Sequence, residues 1–204
     1  MRDLFKALTT CEVPFYNPIV ITRLEWTSLH DSNELQRDIL QQSSRLISVQ
    51  LVNHEGTLIV QMMKHQSQTS QLNRKEYVRK VTDDTHRMGT FIEKQMVITK
   101  DEIIDFVHDV GDTNPIHRQV PYIVPGCLIL ERLHKELPTV RRWKLRFYHA
   151  LCAGEPFLIR GSASSMIGSV GPRKIVAMII HHNRYNPIGK RDKLITFITV
   201  MKGM

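Results

Sequence analysis

A chain of 204 residues, of which 42% are hydrophobic, can form one globular domain or two small ones with an ordinary core, which excludes a disordered protein. Its apolar runs are far shorter than the roughly 20 residues of a membrane-spanning helix, and its mixed-charge N-terminus does not resemble a secretory signal, so we expect a cytoplasmic protein without a membrane span. The net charge of +8 indicates an anionic partner and leaves nucleic acid, a membrane surface and a phosphorylated cofactor open.

The first 88 residues predict a sheet with little helix. Between Met1 and Pro14 there is room only for a short helix. Extended segments follow near residues 23–26, 34–39, 45–52 and 57–65. The polar segment from Gln66 to Met88 would connect this half to the next.

The second half begins with a strand, expected at Glu93 to Ile98, and an amphipathic helix. Thr99 and Glu102 have the spacing of a capping box, the following apolar residues recur with the period of a helix, and Gly111 ends it. A second helix is expected from about Gly126 to Leu137. Four more strands are expected near residues 144–149, 156–164, 174–182 and 193–201.

The two halves show a weak internal repeat. When the chain is shifted by 122 residues, residues 23–26 fall on 145–148 and residues 34–39 fall on 156–161. Chance similarity between two β-rich stretches is the alternative, because the identities are few. The repeat predicts a degenerate, helix-poor half with its connection in residues 1–88 and a complete half in residues 89–204.

Residues 111–117, Gly-Asp-Thr-Asn-Pro-Ile-His, form the most informative motif. Pro115 fixes its own φ and Asn114 can hydrogen-bond the backbone of the turn, so Asp112 and His117 would be held on a rigid corner. A carboxylate and an imidazole that share one water can activate it and return one proton. The simpler alternative is a helix-ending turn whose polar residues face solvent.

Three segments resemble, in order, landmarks of the MaoC-like family, which includes the (R)-specific enoyl-CoA hydratases. The first segment is the motif together with its helix and the strand before it. The second is Ile-Val-Pro-Gly-Cys-Leu-Ile-Leu, and the third is Arg-Phe-Tyr-His-Ala-Leu-Cys-Ala-Gly-Glu-Pro-Phe. All three lie within residues 91 to about 160. The resemblance implies an α+β hotdog fold, in which a curved antiparallel sheet wraps a long helix. Together with the repeat, it implies a double hotdog with a helix-poor N-terminal half and a complete C-terminal half.

The resemblance also implies roles for individual residues. Asp112 and His117 would be catalytic, and Asn114 and Pro115 would support the turn. The backbone N–H of Gly126 would polarise a thioester carbonyl, because the first N–H groups of a helix are unpaired within it and lie at the positive end of its dipole. Candidates for contact with the substrate are Cys127, Arg173 and Lys174.

The sequence departs from the family beside two of these residues. Pro125 and Val110 stand where family members often have a histidine and a small polar residue. For Gly126 alone, a simple turn into the helix is an equal alternative. The densest basic cluster, Arg141 to Lys144 with Arg146, favours a solvated face over a local phosphate contact.

We therefore expect a hydratase or dehydratase that interconverts trans-2-enoyl and (R)-3-hydroxyacyl thioesters in fatty-acid metabolism. The carrier would be coenzyme A or an acyl carrier protein, with no metal, no redox cofactor and no nucleic acid. Non-catalytic thioester binding and thioesterase activity on the same fold stay open. The chain would act as a homodimer or a pseudo-dimeric monomer, with the acyl chain in the space left by the missing helix of the first half.

Overall fold

The computed structural model describes residues 1–13, 18–28, 34–64, 91–138, 140–147, 150–163, 173–182 and 192–202. For residues 91–94, 158–163, 173–182 and 192–202 it describes the backbone alone. The helices in these ranges are α1 (Arg2–Thr9), α2 (Lys100–Val110) and α3 (Gly126–Glu136). The strands are β1 (Ile19–Thr27), β2 (Gln36–Gln42), β3 (Leu46–Asn53), β4 (Gly56–Lys64), β5 (Phe91–Met96), β6 (Val140–Phe147), β7 (Phe157–Ala163), β8 (Arg173–His182) and β9 (Asp192–Lys202).

These strands form one antiparallel sheet in the order β2-β3-β4-β1-β6-β9-β8-β7-β5. The two halves of the chain meet where β1 pairs with β6. Outward from this pair, β4, β3 and β2 of the first half correspond to β9, β8 and β7 of the second. Gln36 begins β2 and Phe157 begins β7, within one residue of the predicted 122-residue shift. The predicted α+β double hotdog fold is confirmed, whereas the domain boundary at residue 88 stays a prediction.

The two long helices have the ends and faces that the sequence predicts. Both hydrogen bonds of the capping box at α2 are present, at 3.2 Å from Glu102 N–H to Thr99 Oγ1 and at 2.8 Å from Thr99 N–H to Glu102 Oε2. Helix α3 is buried on most sides, which suits the central helix of the second half. None of the helices described here is long and apolar enough to cross a membrane.

Strand β6 begins four residues earlier than we expected. The start of the strand is difficult to predict because Arg141 and Arg142 are charged. Both residues are exposed, whereas Val140, Trp143 and Leu145 are buried. The strand therefore begins at Val140 rather than near residue 144.

Helix α1 fills the space that we had assigned to an acyl chain. It is amphipathic and packs against β3 and α2, with the side chains of Leu4 and Phe5 almost fully excluded from solvent. The inward residues of β3 and β4, among them Ile47, Val49 and Val60, are fully buried in the same core. The expected acyl site in the first half is therefore wrong, because packed side chains occupy it.

Candidate active site

The end of α2 fixes the position of Asp112. Gly111 adopts a left-handed conformation with φ of 71°, and the Asp112 N–H donates to the Val107 carbonyl at 2.8 Å. These are the features of a Schellman motif, which orders the residues that follow a helix. One carboxylate oxygen of Asp112, Oδ1, accepts a hydrogen bond of 2.8 Å from the Asn114 N–H. Its other oxygen, Oδ2, is directed toward His117.

His117 lies on a short 3-10 turn, Pro115–His117, and its side chain is buried. Its Nδ1 is 2.7 Å from the carbonyl oxygen of Ile123. A carbonyl can only accept a hydrogen bond, so Nδ1 carries the proton in the neutral ring and Nε2 has a free lone pair. Sequence reasoning did not identify this contact, which ties the motif to the loop that leads into α3.

The two reactive side chains face each other. His117 Nε2 and Asp112 Oδ2 are 3.7 Å apart, which is too long for a direct hydrogen bond and allows one water to contact both atoms. Burial lowers the pKa of His117 below its ordinary value of 6.5, although the charge of Asp112 and the Ile123 carbonyl act in the opposite direction. The imidazole is therefore neutral near pH 7 and able to accept a proton.

The N-terminus of α3 follows the loop whose Ile123 carbonyl binds His117. Helix α3 begins at Gly126, and its N-cap residue Pro125 provides no side-chain cap. The buried thiol of Cys127 has a raised pKa because of burial and, second, because of the negative charge of Asp112. Asp112 is therefore close to the first turn of α3, and Cys127 stays a protonated, apolar neighbour of the site rather than a nucleophile.

Gly126 is in close contact with two apolar side chains that sequence reasoning missed. A Cβ at this position would lie 3.0 Å from Cζ of Phe147 and 3.6 Å from Cβ of Ile21. We expected Gly126 to admit the substrate closely, and on this side the ring of Phe147 occupies that space. Nothing local in the sequence signals the contact, since Phe147 ends β6 and Ile21 belongs to the other half of the chain.

Asn114 connects the motif to the first half. Its Nδ2 donates a 2.6 Å hydrogen bond to the carbonyl oxygen of Ile19 at the start of β1. Its Oδ1 is buried and has no hydrogen-bond partner among the residues that the structure describes. A buried acceptor in this state lacks the hydrogen bond that most buried polar groups form.

Arg173 and Lys174 are not brought to this site by the strand register. Both begin β8, and their partners on β9 are Lys202 and Met201. Phe147 pairs with Thr196, which is five residues from Met201 and six from Lys202 along β9, and this separation corresponds to about 17–20 Å of strand. Their side chains lie outside the described part of the structure, so their role in binding substrate stays a prediction. Among the described side chains, no group of three or more His, Cys, Asp or Glu residues is placed to hold a metal ion.

Comparison with known proteins identifies the fold. No family model and no curated protein sequence matches the chain. Solved structures do match it. HtdX from Mycobacterium tuberculosis has a TM-score of 0.59 at 14% identity, covering 98% of this chain and 83% of its own. A MaoC-like dehydratase from Phytophthora capsici has a TM-score of 0.55 at 12% identity, covering 93% of this chain and 74% of its own.

Two further solved structures match with the same architecture. A Mycobacterium tuberculosis protein described as having a double hotdog fold matches with a TM-score of 0.53 at 9% identity, covering 89% of this chain and 74% of its own. A Lactobacillus plantarum protein named as an oleoyl thioesterase matches with a TM-score of 0.54 at 8% identity, covering 90% of this chain and 74% of its own. The chain thus has the double hotdog fold, in common with solved MaoC-like dehydratases.

Proposed function

We propose that this protein is a hydratase or dehydratase that interconverts trans-2-enoyl and (R)-3-hydroxyacyl thioesters. The observation that carries the proposal is the lone pair of His117 Nε2 facing Asp112 Oδ2 across 3.7 Å, with His117 held by the Ile123 carbonyl in the loop that leads into α3. The carrier of the thioester would be coenzyme A or an acyl carrier protein, and the setting would be cytoplasmic fatty-acid metabolism. Both halves belong to one chain, so a single chain supplies the pseudo-dimer.

In the hydration direction, a water lies between Asp112 Oδ2 and His117 Nε2. Its oxygen forms a bond to the β-carbon of the enoyl group while one of its protons moves to Nε2. Electron density shifts through the double bond onto the thioester oxygen, which gives an enolate. His117 then returns the proton to the α-carbon on the same face, so the product contains the whole water molecule and the enzyme regains its neutral imidazole.

Two groups lower the energy of the charged intermediate. The N–H of Gly126 at the start of α3 stabilises the enolate oxygen, and the carboxylate of Asp112 stabilises the protonated His117. Dehydration runs through the same steps in reverse, with His117 removing the α-proton and delivering it to the departing hydroxyl. The structure leaves His117 neutral at rest, which supports its assignment as the base rather than Asp112.

The test is turnover of a short trans-2-enoyl-CoA, measured as loss of the absorbance of the conjugated thioester. We expect Asp112→Asn and His117→Ala each to lower kcat by about 10²- to 10⁴-fold. Asp105→Asn and His108→Ala are matched controls, since both residues are exposed on α2. Wild-type rates in the two site variants would contradict the assignment.

Two alternatives have support from particular observations. Thioester hydrolysis is supported by the match to a thioesterase of this fold, and it predicts release of free thiol, which a thiol reagent detects. Binding without turnover is supported by the ring of Phe147 beside Gly126, and it predicts tight association with an enoyl-CoA whose absorbance does not change.

A further inference from the structure

Helix α1 of the first half ends against the end of α2, just before the motif. Thr9 Oγ1 in the last turn of α1 lies 2.9 Å from the carbonyl oxygen of Val110. A Cβ at Gly111 would lie 3.8 Å from the same hydroxyl. The first half therefore contacts the residue that precedes Asp112.

Strand β1 of the first half reaches the site at two further points. The carbonyl of Ile19 accepts the hydrogen bond from Asn114, and Cβ of Ile21 would lie 3.6 Å from a Cβ at Gly126. Ile21 pairs with the buried Met62 of β4, so both residues belong to the core face of the sheet. Ile21 therefore stands between the N-terminus of α3 and the core of the first half.

Ile21 packs against a core that is already filled. The residues that α1, β3 and β4 contribute to this core are buried, and they include Leu4, Phe5, Leu8, Ile47, Val49 and Val60. Protein cores are packed about as densely as organic crystals, and extra methylene groups forced into them displace side chains and backbone. A hydrocarbon tail that passed Ile21 would therefore have to displace these side chains.

We propose that the protein acts on short acyl thioesters and that Ile21 sets the limit on acyl length. The inference rests on the proposed function, in which the thioester carbonyl binds at Gly126, and it names the class of substrate. Phe147 from the second half and Ile21 from the first both lie against Gly126. A crotonyl group has a single methyl group beyond the reacting double bond, whereas a longer tail meets these side chains and the filled core behind Ile21.

The experiment compares hydration of crotonyl-CoA with hydration of trans-2-octenoyl-CoA. We expect kcat/KM of the wild-type protein to be at least about tenfold higher for crotonyl-CoA. Ile21→Ala should remove most of this difference, because it deletes the carbon atoms between Gly126 and the core of the first half. The ratio compares two substrates on one preparation, so any loss of folded protein in the variant cancels from it.

Leu137→Ala is the matched control, because it removes the same number of carbon atoms from another partly buried side chain of this core. Leu137 directly follows α3 and is about 16 Å from Gly126 along the helix. This variant should keep the wild-type ratio. The proposal is overturned if the wild-type protein hydrates octenoyl-CoA with an equal or higher kcat/KM, or if Ile21→Ala changes the ratio no more than Leu137→Ala does.

Binding of saturated thioesters separates this inference from the proposed function, because they have no double bond to hydrate. We expect butyryl-CoA to bind at least about tenfold more tightly than octanoyl-CoA. If this order is found but neither enoyl-CoA is hydrated, the length limit stands and the reaction is wrong. If both enoyl-CoAs are hydrated and octanoyl-CoA binds as tightly as butyryl-CoA or more tightly, the reaction stands and the length limit is wrong. Absence of both binding and turnover would overturn both proposals.

Discussion

The side-chain amide of Asn114 donates a 2.6 Å hydrogen bond to the backbone carbonyl of Ile19, and this bond joins the Asp112–His117 motif of the second half to the first strand of the other half. The contact is partly buried, so its loss leaves the carbonyl of Ile19 without that partner. The candidate site therefore depends on both halves, although Asp112 and His117 lie within six residues of each other.

Replacing Asn114 with aspartate tests this junction. A carboxylate cannot donate to the Ile19 carbonyl and would be repelled by it, so Asn114→Asp should lower the free energy of unfolding by about 1–3 kcal/mol. Gln41→Glu is the control, because Gln41 is exposed on β2 and the change in net charge is the same. Urea unfolding measures the two changes. Equal losses in both variants would mean that the donor to Ile19 contributes little.

The titration of His117 gives a second prediction. Burial holds the pKa of His117 below 6.5, and the charge of Asp112 partly offsets this effect. NMR titration of the imidazole should show a midpoint below 6.5 in the wild-type protein and a still lower one in Asp112→Asn. A wild-type midpoint above 6.5 would contradict the burial of the neutral ring.

The same pKa shift has a consequence for stability. The unfolded chain takes up a proton on this histidine near pH 6.5, whereas the folded protein takes it up only at lower pH. The contribution of His117 to stability is therefore complete above pH 6.5 and is lost progressively as the pH falls toward the folded-state pKa. In His117→Asn this part of the pH dependence of urea unfolding should disappear.

The contact between Gly126 and Phe147 predicts a coupled pair of substitutions. A Cβ in Gly126→Ala would come within 3.0 Å of the Phe147 ring, so this variant should be destabilised by about 1–3 kcal/mol. Phe147→Leu removes the ring edge and should recover part of that loss in the double variant. A double-mutant cycle from urea unfolding measures the coupling, and additive effects would show that the ring moves aside at no cost.

Gly111→Ala tests whether the end of α2 positions Asp112. A Cβ here has space, with Thr9 Oγ1 at 3.8 Å, but φ of 71° is unfavourable for alanine, at a cost of about 1–2 kcal/mol. Gly154→Ala has φ of 76° and open space, so it should lose similar stability. Only Gly111→Ala should lower enoyl-CoA turnover, by about tenfold or more, because only Gly111 precedes Asp112, the carboxylate of the proposed mechanism. Equal turnover in the two variants would contradict the role of the Schellman motif.

Local sequence determined the elements that carry the motif. The capping box of Thr99 and Glu102, the helix end at Gly111 and the turn around Pro115 each depend on hydrogen bonds or steric limits between residues a few positions apart. Such contacts can be predicted from spacing, and the structure confirms them. The strand segments of the second half and the repeat of the first followed from the same kind of local pattern.

Tertiary structure alone decided how these elements meet. The alignment of His117 with Asp112 depends on the Ile123 carbonyl, the motif is tied to Ile19 from the other half, and Phe147 closes one side of Gly126. Helix α1 occupies the space that we had assigned to an acyl chain, and its position there depends on packing against β3 and α2. Spacing along the chain does not predict these contacts. They form only when the sheet packs around its helices.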